Sequence, residues 1–278
     1  MPMNHESPSD GRRQERASRS GMNGTGAATA TGGRPELEIG PGVLVPDWSA
    51  VTSKKAGEAL ADVLGAGRLE ARWSGLDPDG DRIRRAILVE YAATGHAPSL
   101  ARLAELTGIG SDGVGGLLRD LERRDIVVME EGGETITGAY PFTERETGHR
   151  VDLGGTALNA MCAIDALGAG AMCGRDTTIH SSCRHCRLPI RIETCNRGAE
   201  IASASPEGAV VWSGIRDTRG CSADTICPIM AFFCSDDCLD AWRRTGAGSE
   251  GHRLSMEEGL QVGRALFTPL LAGDVATA

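Results

Sequence analysis

All nine cysteines of this 278-residue chain lie after residue 161. An odd number, several at metal-ligand spacing, does not make a complete disulfide framework. In a reducing compartment that concentration points to metal chemistry confined to the second half of the chain. The stretch at its centre is Thr156–Leu167, TALNAMCAIDAL. Leu158, Met161, Ile164 and Leu167 recur every third residue and Thr156 stands where an N-cap would, so the pattern predicts a short buried helix. Cys162 and Asp165 are then one turn apart, and a thiol and a carboxylate share one face. A lone cysteine is most often a small buried hydrophobe. A carboxylate beside it, and a further thiol at Cys227 in TICPIMAFF, shift the reading toward a functional pair.

Charge and hydropathy patterning narrow the function classes. A net charge of -9 argues against general binding to nucleic acid or an anionic membrane. No apolar run is long enough to span a bilayer, and the N-terminus has no hydrophobic signal core. The expectation is a cytoplasmic protein. Residues 1–36 are mostly Gly, Ser, Thr, Ala and Arg with almost no large apolar side chain, which predicts a disordered tail.

The expected architecture is α+β, with a first domain over 37–148 and a second over 149–278. An amphipathic helix is predicted around Ala56, Leu60, Val63 and Leu64. Asp81 is read as the cap of a helix carrying Ile83, Ile87 and Tyr91 and ending at Gly95. Ser99 caps a second helix, stopped by Gly108, and Ser111 a third carrying Val114, Leu117, Leu118 and Leu121. Ile126–Met129 and Glu134–Thr137 flank Glu-Gly-Gly and read as a hairpin. Three helices and a hairpin make a winged-helix-like domain. Its third helix carries Arg119, Arg123 and Arg124 but also Asp112, Asp120, Glu122 and Asp125, a balance with little attraction for phosphate. A non-DNA-binding role is therefore expected, since fold alone does not assign function.

In the second half, Thr177–Ser181, Pro189–Thr194 and Ala209–Trp212 read as short strands. Ser235 caps a helix through Trp242, and Ser255 with Glu258 forms a capping box on a last helix to about Leu271. Cys183-x-x-Cys186 sits in a knuckle-like turn, SCRHCRLP, and Cys234-x-x-x-Cys238 straddles a helix start, FCSDDC. A knuckle pair and a pair at a helix start have the ligand layout of a treble-clef-like zinc site. His185 lies between the first pair and could replace one ligand, although a lone histidine here reads as solvent-facing or as a group behind the ligands. Cys173 and Cys195 read as buried or incidental, and Cys221 as a loop cysteine near Cys227. The Gly-rich stretches at 110–116 and 168–174 lack the lysine of a phosphate loop, so nucleotide binding is not supported.

Several spaced elements occur together in order: AYPFT, a His-Arg segment, Cys-x-x-Asp, then a cysteine before an apolar run ending in Phe-Phe. In this the chain resembles the alkylmercury (organomercurial) lyases over roughly residues 57–272, most strongly over 138–168 and 224–233. The resemblance implies a winged-helix-like N-terminal half not used on DNA. It implies that Cys162 and Cys227 are paired mercury-binding thiols and that Asp165 is the carboxylate that moves the proton. The implied reaction is protonolysis of a carbon–mercury bond to hydrocarbon and Hg(II). It needs no organic cofactor; free low-molecular-weight thiols extract the metal, and a mercuric reductase is the natural recipient. The two extra cysteine pairs depart from the family pattern.

Two other classes use the same residues. A metal-responsive regulator would put the winged helix on DNA and use the cysteines as sensor. A thiol-based metal chaperone would hold mercury without breaking a bond. Asp165 favours the enzyme, because a sensor or carrier has no need of an acid beside its thiols.

Overall fold

The computed structural model describes residues 34–133, 135–215, 220–246 and 250–273. The expected disordered tail falls almost wholly outside the described residues. The chain enters through a two-stranded ladder, β1 (Leu37–Gly40) and β2 (Val43–Val45), followed by α1 (Lys54–Ala66) and α2 (Leu69–Trp73).

Three helices follow: α3 (Pro78–Thr94), α4 (Leu100–Thr107) and α5 (Ser111–Arg123). Their ends are set by local chemistry. The Asp77 carboxylate accepts from the Asp79 and Gly80 amides, Pro78 takes the first helical position, and Gly95 closes α3 at φ 83°. Asp81 is thus not the cap. It lies one turn inside, buried, and pairs with Arg84 at 2.6 Å. Ser99 caps α4 by accepting from Arg102 N, whereas Gly110 rather than Ser111 precedes α5.

The strands β3 (Val127–Met129) and β4 (Ile136–Ala139) pair antiparallel, as the hairpin pattern requires; Glu134, in their connection, lies outside the described residues. They form one end of an eight-stranded sheet. It continues through β5 (Phe142–Thr143), β6 (Arg150–Asp152), β7 (Ala157–Ala160), β8 (Thr178–Ser182), β9 (Pro189–Cys195) and β10 (Glu200–Ser205). The order across the sheet is β10-β9-β8-β6-β7-β5-β4-β3, so strands from both halves of the sequence share it.

The helix α6 (Ala163–Cys173) leaves the end of β7 and is buried along nearly its whole length. The expected helix from Thr156 is therefore corrected at its start. Residues 157–160 are a strand between β5 and β6, with Leu158 and Ala160 facing inward. Pairing on both edges overrides the three-residue apolar spacing.

A second sheet, β12-β11-β13, is built from β11 (Val210–Gly214), β12 (Met230–Phe233) and β13 (Gly251–Leu254). The short helix α7 (Ser222–Thr225) and a 3-10 turn at Cys227–Ile229 lead into β12, and α8 (Asp236–Arg243) follows it. The last helix, α9 (Met256–Phe267), carries the expected capping box. It packs tightly on α6 because both are glycine at the crossing. A Cβ at Gly168 would stand 2.7 Å from Gly263 O, and one at Gly263 would stand 2.7 Å from Gly168 N. That contact fixes α6, and with it the residues of its first turn. Among the described residues no helix is long and apolar enough to cross a membrane.

Candidate active site

Cys162 is the N-cap of α6, in extended backbone geometry, and its Sγ accepts from the Asp165 amide at 3.5 Å. Asp165 is in the helix's first turn, so thiol and carboxyl meet through the cap rather than as neighbours on a helix face. Cys227 arrives from the other side, at the start of the 3-10 turn before β12, and its thiol donates to Asp165 Oδ2 at 3.7 Å. The Cys162 thiol also reaches Met230 Sδ at 3.7 Å. The ligand atoms of Cys162, Asp165 and Cys227 all lie within 4.8 Å of one another.

All three side chains are almost dry, with residue exposures of 1, 3 and 7 %. Burial disfavours the charged form of each. It lifts the Asp165 carboxyl to about 7, although hydrogen bonds from the Cys162 and Cys227 thiols pull it partly back. Burial also raises the Cys162 thiol. Its hydrogen bond with Cys162, then burial, then the nearby Asp165 charge hold the Cys227 thiol well above its ordinary value. The resting cluster is therefore two protonated thiols around a carboxyl that titrates near neutrality.

The cluster faces a cavity of about 50 Å³ with apolar walls, including Val63, Leu69, Trp73, Ile164, Ile226 and Phe267. A larger cleft of about 400 Å³ lies among Arg72, Glu122, Asp125, Arg145, Cys221 and Asp224. Its walls are charged and it holds one thiol, so the smaller cavity is where paired sulfur chemistry can occur.

Asp125 sits between these spaces and was not marked by the sequence as more than one of several helix acids. It is buried at φ 57°, just after α5. Its carboxylate accepts from Arg72 Nη1 at 2.6 Å, from Ser222 N at 3.0 Å and Oγ at 2.5 Å, and from Tyr140 OH at 3.3 Å. It thereby ties the segment that carries Cys227 to α2 and to the β4–β5 turn. Tyr140, whose phenol burial holds well above its ordinary value, also lines the small cavity.

The family model for MerB, alkylmercury lyase, matches residues 142–268. Residues 142–268 are thus similar to an alkylmercury lyase domain. The matched span contains Cys162, Asp165 and Cys227. The chain is 28% identical to the alkylmercury lyase of Bacillus cereus over 181 residues, covering 65% of this chain and 79% of that protein. It is 26% identical to the alkylmercury lyase of Streptomyces lividans over 187 residues, 67% of this chain and 83% of the relative. A crystal structure of the mercury-bound form of MerB2 superposes with TM-score 0.62 at 24% identity, covering 78% of this chain and all of that one. The fold described above is thus shared with that structure.

The remaining cysteines fall into two groups. Cys173 is buried at the end of α6, Cys195 is half-buried at the end of β9, and Cys221 precedes α7 with its sulfur 3.9 Å from Tyr140 OH. None of these joins the cluster. Cys183, Cys186, Cys234 and Cys238 come together elsewhere, while His185 is exposed. His149, of the His-Arg segment, bonds Ser181 Oγ at 2.9 Å and packs its ring edge-on to Phe232; burial lowers it to about 4, so it is a neutral packing group.

Proposed function

We infer that this lyase takes an alkylmercury–thiol complex into the apolar cavity and cleaves its carbon–mercury bond, a detoxifying reaction, with Cys162, Cys227 and Asp165 as the reacting groups. The observation that carries the reading is a buried carboxyl grouped with two thiols beside a dry, apolar space, where burial raises its affinity for a proton. Mercury(II) is soft and prefers sulfur over nitrogen or oxygen ligands. Asp165 accepts a proton from the Cys227 thiol, and the thiolate formed displaces the incoming thiolate from mercury. Cys162 then gives its proton to the departing thiolate, which leaves as a free thiol, and adds to mercury as a thiolate, raising electron density there and weakening the bond to carbon. The proton held by Asp165 goes to that carbon. The balance is two protein thiols and one alkylmercury thiolate giving a hydrocarbon, a free thiol and protein-bound Hg(II).

Low-molecular-weight thiols would remove the metal, and a mercuric reductase would be its recipient. A thiol supply of this kind belongs to a cytoplasm. The helices α3–α5 with the β3–β4 hairpin read as a winged-helix-like unit serving as packing, not as a nucleic-acid reader. Supporting this, Asp120 bonds both Arg123 and Arg124, at 2.7 and 2.8 Å, which leaves α5 little free positive charge.

The test is to incubate the purified chain with methylmercury and excess thiol and measure methane. Stoichiometric mercury uptake without methane would make the chain a carrier instead.

A further inference from the structure

We propose that Cys183, Cys186, Cys234 and Cys238 hold one tetrahedral zinc ion, at a site separate from the reacting thiols. The four sulfurs lie within 4.8 Å of one another. Cys186 and Cys234 are 3.5 Å apart, and Cys234 and Cys238 3.4 Å. These separations are far longer than a disulfide bond of about 2.0 Å. They suit a tetrahedron with Zn–S of about 2.3 Å, whose sulfur–sulfur edges are about 3.8 Å.

The backbone is already shaped for it. Between β8 and β9 the chain folds into a knuckle: Cys183 N donates to Leu188 O at 2.8 Å, Arg187 N donates to Cys183 O at 2.9 Å, and Arg187 has φ 64°. Cys234 directly follows β12, and Cys238 lies in the first turn of α8, its amide bonded to the Ser235 cap at 3.3 Å. Arg184 N donates to Phe232 O at 2.9 Å, which holds the knuckle against β12 before any metal is counted.

Charge is compatible. Four thiolates around a divalent ion leave a net charge of about -2, by the formal charges of the ligands. Arg184 and Arg187 flank the knuckle, and the start of α8 offers its positive end. The acidic neighbour Asp236 is taken up by Arg253, at 2.7 and 2.9 Å.

With four protein ligands the site has no open position, so its role is structural. It would staple the β8–β9 turn of the large sheet to the end of β12 in the small one. The opposite end of β12 is Met230, in contact with Cys162, and Cys227 lies just before it. The ion would therefore brace the strand beside the reacting pair without touching substrate.

The full-length chain, purified without chelator, should contain about one equivalent of zinc, the stoichiometry of a single Cys₄ site. Replacing it with Co(II) should give the intense sulfur-to-cobalt charge transfer and tetrahedral d–d bands of a tetrathiolate. The Cys186→Ser/Cys238→Ser double variant should lose the zinc and melt at lower temperature while keeping its cleavage rate per folded molecule. Cys162→Ser should keep the zinc, so loss of cleavage and loss of zinc are read separately. If the double variant does not fold, the cobalt spectrum of the unaltered chain decides. A chain that binds no zinc even when supplemented, or a cobalt spectrum without sulfur charge transfer, overturns the site. So does zinc that survives in the double variant.

Discussion

The Cys227 thiol donates to Asp165 Oδ2 across 3.7 Å, between residues 62 apart in sequence. The contact joins the turn before β12 to the first turn of α6, and in the proposed reaction it lets one carboxyl serve as both the base for a thiol and the acid for carbon. A carboxyl at its ordinary value would be too weak a base to take a thiol proton and too scarce as an acid at neutral pH. Burial moves it to about 7, where both forms are populated.

Replacing that carboxyl should therefore separate capture from cleavage. Asp165→Asn keeps the side chain's size and leaves both thiols in place, so alkylmercury uptake should survive. Hydrocarbon release should slow by roughly 10²–10⁴-fold, the usual contribution of a positioned acid. Mass spectrometry should show the variant accumulating as a protein–alkylmercury adduct. Wild-type turnover by this variant would reduce Asp165 to a structural carboxylate.

The same group should leave a signature in stability. Its folded-state value of about 7 lies above the ordinary 3.8, so the folded protein binds its proton more tightly than the unfolded chain does. The resulting stabilisation is complete below about pH 4 and is lost as pH rises through about 7. Asp165→Asn lacks this dependence. Relative to the variant, the unaltered chain should lose up to roughly 4 kcal/mol between pH 4 and pH 8, from 1.36 kcal/mol per pKa unit. Urea midpoints at the two pH values measure the difference, and parallel behaviour of the two proteins would contradict the shift.

The two thiols should be equally indispensable, and the neighbouring ones should not. Cys162→Ser and Cys227→Ser should each bring methane release to background, because a hydroxyl does not replace a soft thiolate ligand. Cys173→Ser and Cys195→Ser, outside the cluster, should cleave at the unaltered rate. A Cys227→Ser variant with full turnover would remove that residue from the mechanism.

Half of this centre is legible in local sequence: Cys162 and Asp165 sit three apart, and that spacing marks them as candidates. Cys227, distant in the chain, is paired with them only by the family resemblance, and the structure brings the three together. How the first two meet was not legible. Leu158 and Met161 match a helical spacing as well as they match a strand end. Only pairing with β5 and β6 decides for the strand, which turns Cys162 into a cap. β10 carries no strand signal in sequence because EIASAS is mostly exposed on an edge and owes its form to pairing with β9. In the sequence Asp125 reads only as one more charge on a helix. Its partners Arg72, Tyr140 and Ser222 are gathered from distant segments that no local pattern connects.

Asp125 leads to the remaining prediction. Asp125→Ala removes the acceptor for Arg72, for the Ser222 amide and hydroxyl, and for Tyr140, and leaves those donors inside the fold. Breaking a fully buried ion pair from one side costs about 3–5 kcal/mol. Arg72 keeps 21% of its side chain in solvent, so a loss of roughly 1–3 kcal/mol is expected here. Asp125→Asn retains the shape and an acceptor oxygen but not the charge facing Arg72, and should fall between the two. Because Ser222 opens the helix that leads to Cys227, loosening it should also slow capture of mercury at Cys227. The protonation step on Asp165, whose backbone belongs to α6, should be spared. Stopped-flow uptake and single-turnover methane release read the two steps separately. An Asp125→Ala protein with unaltered stability and unaltered uptake would show that the network does not position the thiol.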